Sequence, residues 1–280
     1  MNDNYSVRYA IGPRETNQMG TNALRDEFLI DRVFGIDQIN WIYTHYDRYV
    51  VGGVIPKKTV VKLETIDPLK ANFFLERREM GIINVGGNGS VTADGVNYIL
   101  GYKEALYLGR GTKEVSFSTE EISSPAKFYI NSTPAHQAYP SRKVGRDEAE
   151  IVDLGTSETA NARTIRKLIV NSILPTCQLQ MGMTELKSGS VWNTMPAHVH
   201  DRRMEVYFYF EVPEDQAVCH FMGAPNETRH IWMANEQAVI SPPWSIHAGS
   251  GTSNYIFIWG MAGENLDYGD MDGCPIPSLR

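Results

Sequence analysis

Short runs of alternating apolar and polar residues fill most of this chain, separated by Gly, Pro and Asn, and this pattern predicts many short β-strands. Successive strand side chains point to opposite faces. Val206, Phe208 and Phe210 therefore share one face, and Glu205, Tyr207 and Tyr209 share the other. Such a strand predicts a packed exterior and a polar, aromatic lumen. Early in the chain the period changes: Leu24, Phe28 and Leu29 fall on one side of a helix predicted over Thr21 to Ile30. Ser90-Val91-Thr92 and Val96-Asn97-Tyr98-Ile99 flank Ala93-Asp94-Gly95, which predicts a hairpin with an Asp-Gly turn. Strands are also predicted at Ala105 to Leu108 and Glu114 to Phe117.

Polar and charged residues from Ser141 to Thr159 predict a connector, followed by a second β-rich block from Arg163 to Gly260. The blocks carry a faint internal repeat. Glu104 to Leu108 with its Gly-rich sequel matches Gln237 to Ser241 with its Pro-rich sequel, and Glu114 then falls where His247 stands. The expected architecture is all-β: two cupin-type jelly-roll barrels with a few short helices.

Composition narrows the function classes. The 280 residues suffice for two modest domains with apolar cores. Three cysteines, Cys177, Cys219 and Cys274, are widely spaced and form no Cys-x-x-Cys pair, so reduced thiols in the cytoplasm are expected. The opening Met1-Asn2-Asp3-Asn4 has no basic or apolar leader character, and no apolar run is long enough to span a bilayer, so no membrane association is expected. A net charge of −7 argues against nucleic acid as a partner and requires a local basic pocket for any anionic substrate.

The chemistry concentrates in one place. His198-Val199-His200 puts two imidazoles on one strand face. Glu205 is out of phase with them, so a turn near Asp201-Arg202-Arg203 has to re-aim it. His247, after Pro242-Pro243, completes a set of three imidazoles and one carboxylate, which suits zinc, iron, manganese or nickel. The other histidines, among them His45, His136, His220 and His230, stand alone and read as surface or core residues. Against the general cupin motif the flanking glycines are replaced by Trp192, Val212 and Trp244.

The run from Asn193 to Phe210, Asn-Thr-Met-Pro-Ala-His-Val-His-Asp-Arg-Arg-Met-Glu-Val-Tyr-Phe-Tyr-Phe, closely resembles the metal-binding segment of the 4-deoxy-L-threo-5-hexosulose-uronate ketol-isomerase family. Similar runs occur at Leu24–Leu29, Phe74–Asn84, Pro125–Tyr129, Glu227–His230, Asn235–Pro242 and Phe257–Met261, and in the tail. The resemblance covers essentially the whole chain. It implies a zinc-dependent two-barrel enzyme, a homohexamer, acting on a small keto-uronate in pectin breakdown. It also implies one Zn²⁺ per chain, on His198, His200, Glu205 and His247. The barrel at residues 1–155 would carry no metal, and the barrel at 156–280 would carry it.

The implied reaction moves a proton from C2 to C1 of an open-chain aldehyde, by way of a cis-enediolate, with the metal as Lewis acid. Glu205 enters the catalytic set if it detaches from the metal. Tyr207 and Tyr209 share its face and are candidate donors to a developing oxyanion, and Tyr209 is taken into the catalytic set. The substrate carboxylate calls for an arginine. Arg163, Arg202, Arg203 and Arg229 are the candidates, and Arg163 is expected to belong to the catalytic set. Gln178 and Thr184 are expected in phase on a strand facing the lumen. Two other readings stand beside the isomerase: an iron-dependent cupin dioxygenase with the same ligands, and a non-catalytic sugar-binding bicupin.

Overall fold

A computed structural model describes residues 4–264 and 267–280 of the chain. Met1-Asn2-Asp3, which bore on the leader, lies outside the described residues. Strands dominate, and the α-helices are the short Pro13–Thr16 and Thr21–Phe28. Among the described residues no helix is long and apolar enough to cross a membrane. The early helix stops two residues before its expected end. Leu29–Ile30 instead forms a strand whose backbone pairs with Val239 and Ala238.

The chain divides into two compact units, neither continuous in sequence. The first takes the chain through Arg8, then Arg32–Ala149 and Leu168–Gln180; the second takes Tyr9–Asp31, Glu150–Lys167 and Met181–Arg280. Tyr9–Asp31 thus joins the second unit and Leu168–Gln180 the first, across the expected boundary at 155/156. The polar stretch expected as a connector contains the strands Arg142–Val144 and Glu150–Leu154, each at the end of a large sheet. An edge strand meets water along one side, which is why its residues read as loop.

In the first unit the large sheet runs Tyr5–Arg8, Ile39–Thr44, Val50–Ile55, Phe128–Pro134, Arg78–Asn84, Ala105–Leu108, Arg142–Val144. Its small sheet runs Val61–Lys62, Val115–Thr119, Gly89–Ala93, Val96–Leu100. The last two strands form the expected hairpin, with Asp94 and Gly95 at φ 45° and 83°. Positive φ at both turn positions matches the twist of the strands, and glycine reaches it without Cβ strain. Trp41, Val54, Ile82 and Phe128 of the large sheet pack with Val91, Leu100 and Phe117 of the small one in a single core cluster.

The second unit repeats this order apart from the last strand of its large sheet. Its large sheet runs Glu150–Leu154, Arg163–Ile169, Gln180–Leu186, Ile256–Gly263, Arg203–Phe210, Gln237–Ser241, Leu29–Ile30. Its small sheet runs Trp192–Asn193, Ala248–Gly251, Val218–Ala224, Glu227–Met233. The faint sequence repeat is therefore a repeat of topology. Ala105–Leu108 and Gln237–Ser241 hold the same place, and Glu114 and His247 each immediately precede corresponding small-sheet strands. Among the described residues no sheet closes on itself.

Candidate metal centre

His198 lies on the two-residue strand His198–Val199, which pairs with Asp272–Gly273. His200 follows it, and a turn at Asp201-Arg202 leads into the strand Arg203–Phe210. That turn swings Glu205 onto the side occupied by the imidazoles. His247 arrives just before the strand Ala248–Gly251 of the small sheet. Nitrogen and oxygen atoms from His198, His200, Glu205 and His247 all lie within 4.8 Å of one another. His247 Nε2 is 2.9 Å from His198 Nε2 and 3.0 Å from Glu205 Oε2, and His200 Nε2 is 3.3 Å from the same oxygen.

This donor set fits a divalent cation. Two imidazole nitrogens this close have lone pairs that repel unless a proton or a cation lies between them. His200 Nδ1 is 3.0 Å from the carbonyl of Asp270 and His247 Nδ1 is 3.4 Å from that of Ser245. Donation of Nδ1–H to those carbonyls turns each Nε2 toward the cluster, where it offers a lone pair to a bound cation or, without one, a proton to Glu205. Burial pushes His198 down to about 2, with His247 and His200 adding to the effect, so its imidazole is neutral and available as a ligand. Burial opposes the charge on Glu205, yet His247 and His200 outweigh it and hold the carboxyl well below the usual carboxylate range.

The cluster borders a cavity of about 220 Å³. Arg163, Thr184, Arg203, Tyr207, Trp259 and Tyr268 contribute to its wall. The two arginines differ in what holds them. Arg203 is buried, and its guanidinium donates to the carbonyls of Asp267, Tyr268 and Asp270. Arg163 makes one hydrogen bond among the described residues, from Nη1 to Asn161 O at 2.8 Å, and burial lowers its pKa. Arg163 thus keeps donors for a ligand, whereas Arg203 staples the 267–270 segment beside the metal cluster. Arg202 and Arg229 lie outside the cavity wall, paired with Glu264 and Glu227.

The odd-numbered face of the Arg203–Phe210 strand divides by depth. Tyr207 lines the cavity and its hydroxyl lies 2.9 Å from Thr194 Oγ1. Tyr209 is not in the cavity wall; it is buried behind Tyr207, 2.8 Å from His220 Nδ1. Burial raises both phenols well above their ordinary value, so both stay protonated. Thr184 reaches the cavity as expected. Gln178 does not, because the strand begins at Gln180 and the Gln178 amide donates to Pro134 O instead. Trp259 forms part of the wall; a Cβ on Gly182 would stand 2.2 Å from its ring. Thr194 and Tyr268 are wall residues that no local motif announces. His220 is a buried partner of Tyr209, and the three cysteines are free.

A family model described as the KduI/IolB family matches residues 31–272. The chain belongs to the KduI/IolB family. Curated KduI/IolB relatives match over the full length of both chains. The 4-deoxy-L-threo-5-hexosulose-uronate ketol-isomerase of Formosa agariphila is 64% identical, and that of Bacteroides fragilis 59%. Among solved structures, an IolB-like protein from Salmonella typhimurium superposes with a TM-score of 0.67 at 17% identity, covering 81% of this chain and 87% of that one. Oxalate decarboxylase from Bacillus subtilis gives a TM-score of 0.55 at 10% identity, covering 80% of this chain and 70% of that one. These two likenesses concern the fold of this KduI/IolB chain alone.

Proposed function

We propose that this chain is an aldose–ketose isomerase, converting 5-dehydro-4-deoxy-D-glucuronate to 3-deoxy-D-glycero-2,5-hexodiulosonate in the breakdown of pectin-derived uronates. The observation that carries the reading is full-length identity of 64% to a ketol-isomerase of that specificity. His198, His200, Glu205 and His247 would hold one metal ion, and zinc suits three imidazoles and a carboxylate. A bound divalent ion supplies Lewis acidity to the reacting oxygens.

The reaction is redox-neutral within the substrate. The C2 hydrogen leaves as a proton, a proton is delivered to C1, and the O2 hydroxyl proton is replaced by one on O1. The aldehyde thereby becomes a hydroxymethyl group and C2 a ketone. Arg163 pairs with the substrate carboxylate through the donors it keeps free of protein carbonyls. Tyr207, kept protonated by burial and held by Thr194, donates to the oxygen on which charge develops. Tyr209 supports Tyr207 from behind and holds His220. Glu205 is an ionised carboxylate at the cavity floor, and acts as base where it leaves the ligand set.

The same reading assigns two cupin-type jelly-roll barrels, a metal-free one drawn mainly from residues 1–155 and a metal-binding one drawn mainly from 156–280, with Leu168–Gln180 and Tyr9–Asp31 exchanged between them. The repeated strand order supports it, as do the apolar residues that stand at the Glu205 and His200 positions in the first unit. Met80 pairs with Leu108 as Glu205 pairs with Ser241, so Met80 stands in the place of Glu205. Leu75, five residues before Met80 as His200 is before Glu205, belongs to the apolar core. A homohexamer in the cytoplasm follows from the family resemblance. The activity is tested by incubating the metal-loaded protein with the keto-uronate and following its carbons by NMR. Conversion of C1 to a hydroxymethyl carbon beside a new C2 ketone is expected; unchanged substrate overturns the reading.

A further inference from the structure

The first unit has a cavity of its own, about 220 Å³, whose wall includes Arg48, Arg77, Arg78, Tyr43, Phe74 and Pro134. Arg78 is 5% exposed. A buried cation is ordinarily paired with a carboxylate, because taking a charge out of water is costly. Arg78 has neutral partners instead. Its Nε donates to Ser132 Oγ at 3.1 Å, and its Nη2 to the carbonyls of Ser132 and Arg48 at 2.7 and 2.8 Å. Among the described residues Nη1 makes no hydrogen bond and no carboxylate forms an ion pair with Arg78.

The neighbouring carboxylate is committed elsewhere. Glu79 projects from the opposite face of the strand and accepts the backbone N–H groups of Cys177, Gln178 and Leu179 and the Tyr107 hydroxyl, at 2.7 to 2.9 Å. Burial pushes Arg78 down to about 9, and nearby Arg48 acts in the same direction. Arg77 is tied to the carbonyls of Leu69 and Lys70, which fixes it at the cavity edge. Three arginines therefore line one cavity, and among the described residues no carboxylate lines it.

The repeat shows where this cavity belongs. Arg78 precedes Met80 by two residues, as Arg203 precedes Glu205. Leu69 and Ala71 line the first cavity, and Thr194 and Pro196, at the same distances before Arg203, line the second. The first unit thus keeps a pocket at the corresponding place, with Met80 and Leu75 where Glu205 and His200 stand and with three arginines among its lining residues.

We propose that this cavity is a metal-free binding site for a small organic carboxylate, with Arg78 as its buried counter-charge and Arg48 and Arg77 flanking it. A carboxylate matches the fork of a guanidinium with two parallel hydrogen bonds. Phe74, Tyr43 and Pro134 offer apolar surface to the carbon body of the acid. The site shares no residue with the second unit's cavity and stands whether or not the isomerase reading holds.

The probe is sodium D-gluconate, which carries the carboxylate but no aldehyde, with sodium phosphate as a separate arm. Crystals of the full chain soaked in gluconate are expected to show its carboxylate against Arg78. Calorimetric titration is expected to show the affinity of that site falling about tenfold or more in Arg48→Ala/Arg77→Ala, which removes two charged donors at exposed, foldable positions. Turnover of the keto-uronate by that variant should match the wild type. Arg78→Met, where it folds, should abolish the site. No gluconate at Arg78, or an affinity unchanged in the double variant, overturns the proposal. Phosphate bound there in place of gluconate overturns the assignment to an organic acid.

Discussion

The Tyr207 hydroxyl and Thr194 Oγ1 are 2.9 Å apart, and this contact holds the one phenol of the lumen face that reaches the cavity. Tyr209, two residues on and pointing the same way, is buried behind it against His220. The two tyrosines should therefore separate kinetically. Tyr207→Phe is expected to lower kcat by about 10²-fold with a smaller effect on KM, as for loss of one preorganised donor. Tyr209→Phe should cost mainly stability, about 1 kcal/mol. Steady-state kinetics and denaturation curves for both variants check this; the reverse pattern would return the donor role to Tyr209.

Gly182 makes room for Trp259. A Cβ there would lie 2.2 Å from the indole and 2.4 Å from the Arg166 carbonyl. Gly182→Ala is expected to destabilise the protein by about 1–3 kcal/mol through overpacking. It should also raise KM, because Trp259 is part of the cavity wall. A melting temperature and KM equal to wild type would show that the indole moves freely.

Glu79 holds the crossing segment of the first unit by accepting three consecutive backbone N–H groups. Glu79→Ala strands those donors and the Tyr107 hydroxyl in a buried setting. A loss of about 3 kcal/mol or more is expected in urea denaturation. Glu79→Gln retains one acceptor oxygen and should cost less.

Turnover in deuterium oxide should place deuterium on the hydroxymethyl carbon of the product, the former aldehyde C1. A proton taken from C2 by a side chain can exchange with solvent before its return, whereas a hydride shift carries the original hydrogen across. Proton NMR of the product decides, with exchange by free substrate measured alongside. Full retention of the C2 hydrogen would exclude an exchanging base.

Much of this architecture is legible in the chain. Period-two patterns locate the strands, and Asp94-Gly95 announces its turn. The spacing of His198, His200, Glu205 and His247 marks the cluster, since two histidines one residue apart on a strand must share a face. Other features depend on partners distant in sequence. Leu29-Ile30 looks helical until Gln237–Ser241 offers it a ladder. Arg142–Val144 and Glu150–Leu154 look like loop because edge strands are polar. Alternation placed Tyr207 and Tyr209 on the right face but carries no information about depth. It likewise could not show that Arg203 is held by the 267–270 carbonyls while Arg163 keeps free donors.

One divalent ion, held by His198, His200, Glu205 and His247, is expected to be required for isomerisation. The most direct test strips the protein with a chelator, restores zinc in small steps and measures keto-uronate turnover at each step, with His200→Ala treated in parallel. Turnover should rise from near zero and break at one equivalent per chain in the wild type. The folded His200→Ala protein should neither retain the ion nor recover activity. Full turnover without metal, a break at two equivalents, or wild-type recovery by His200→Ala would contradict the account.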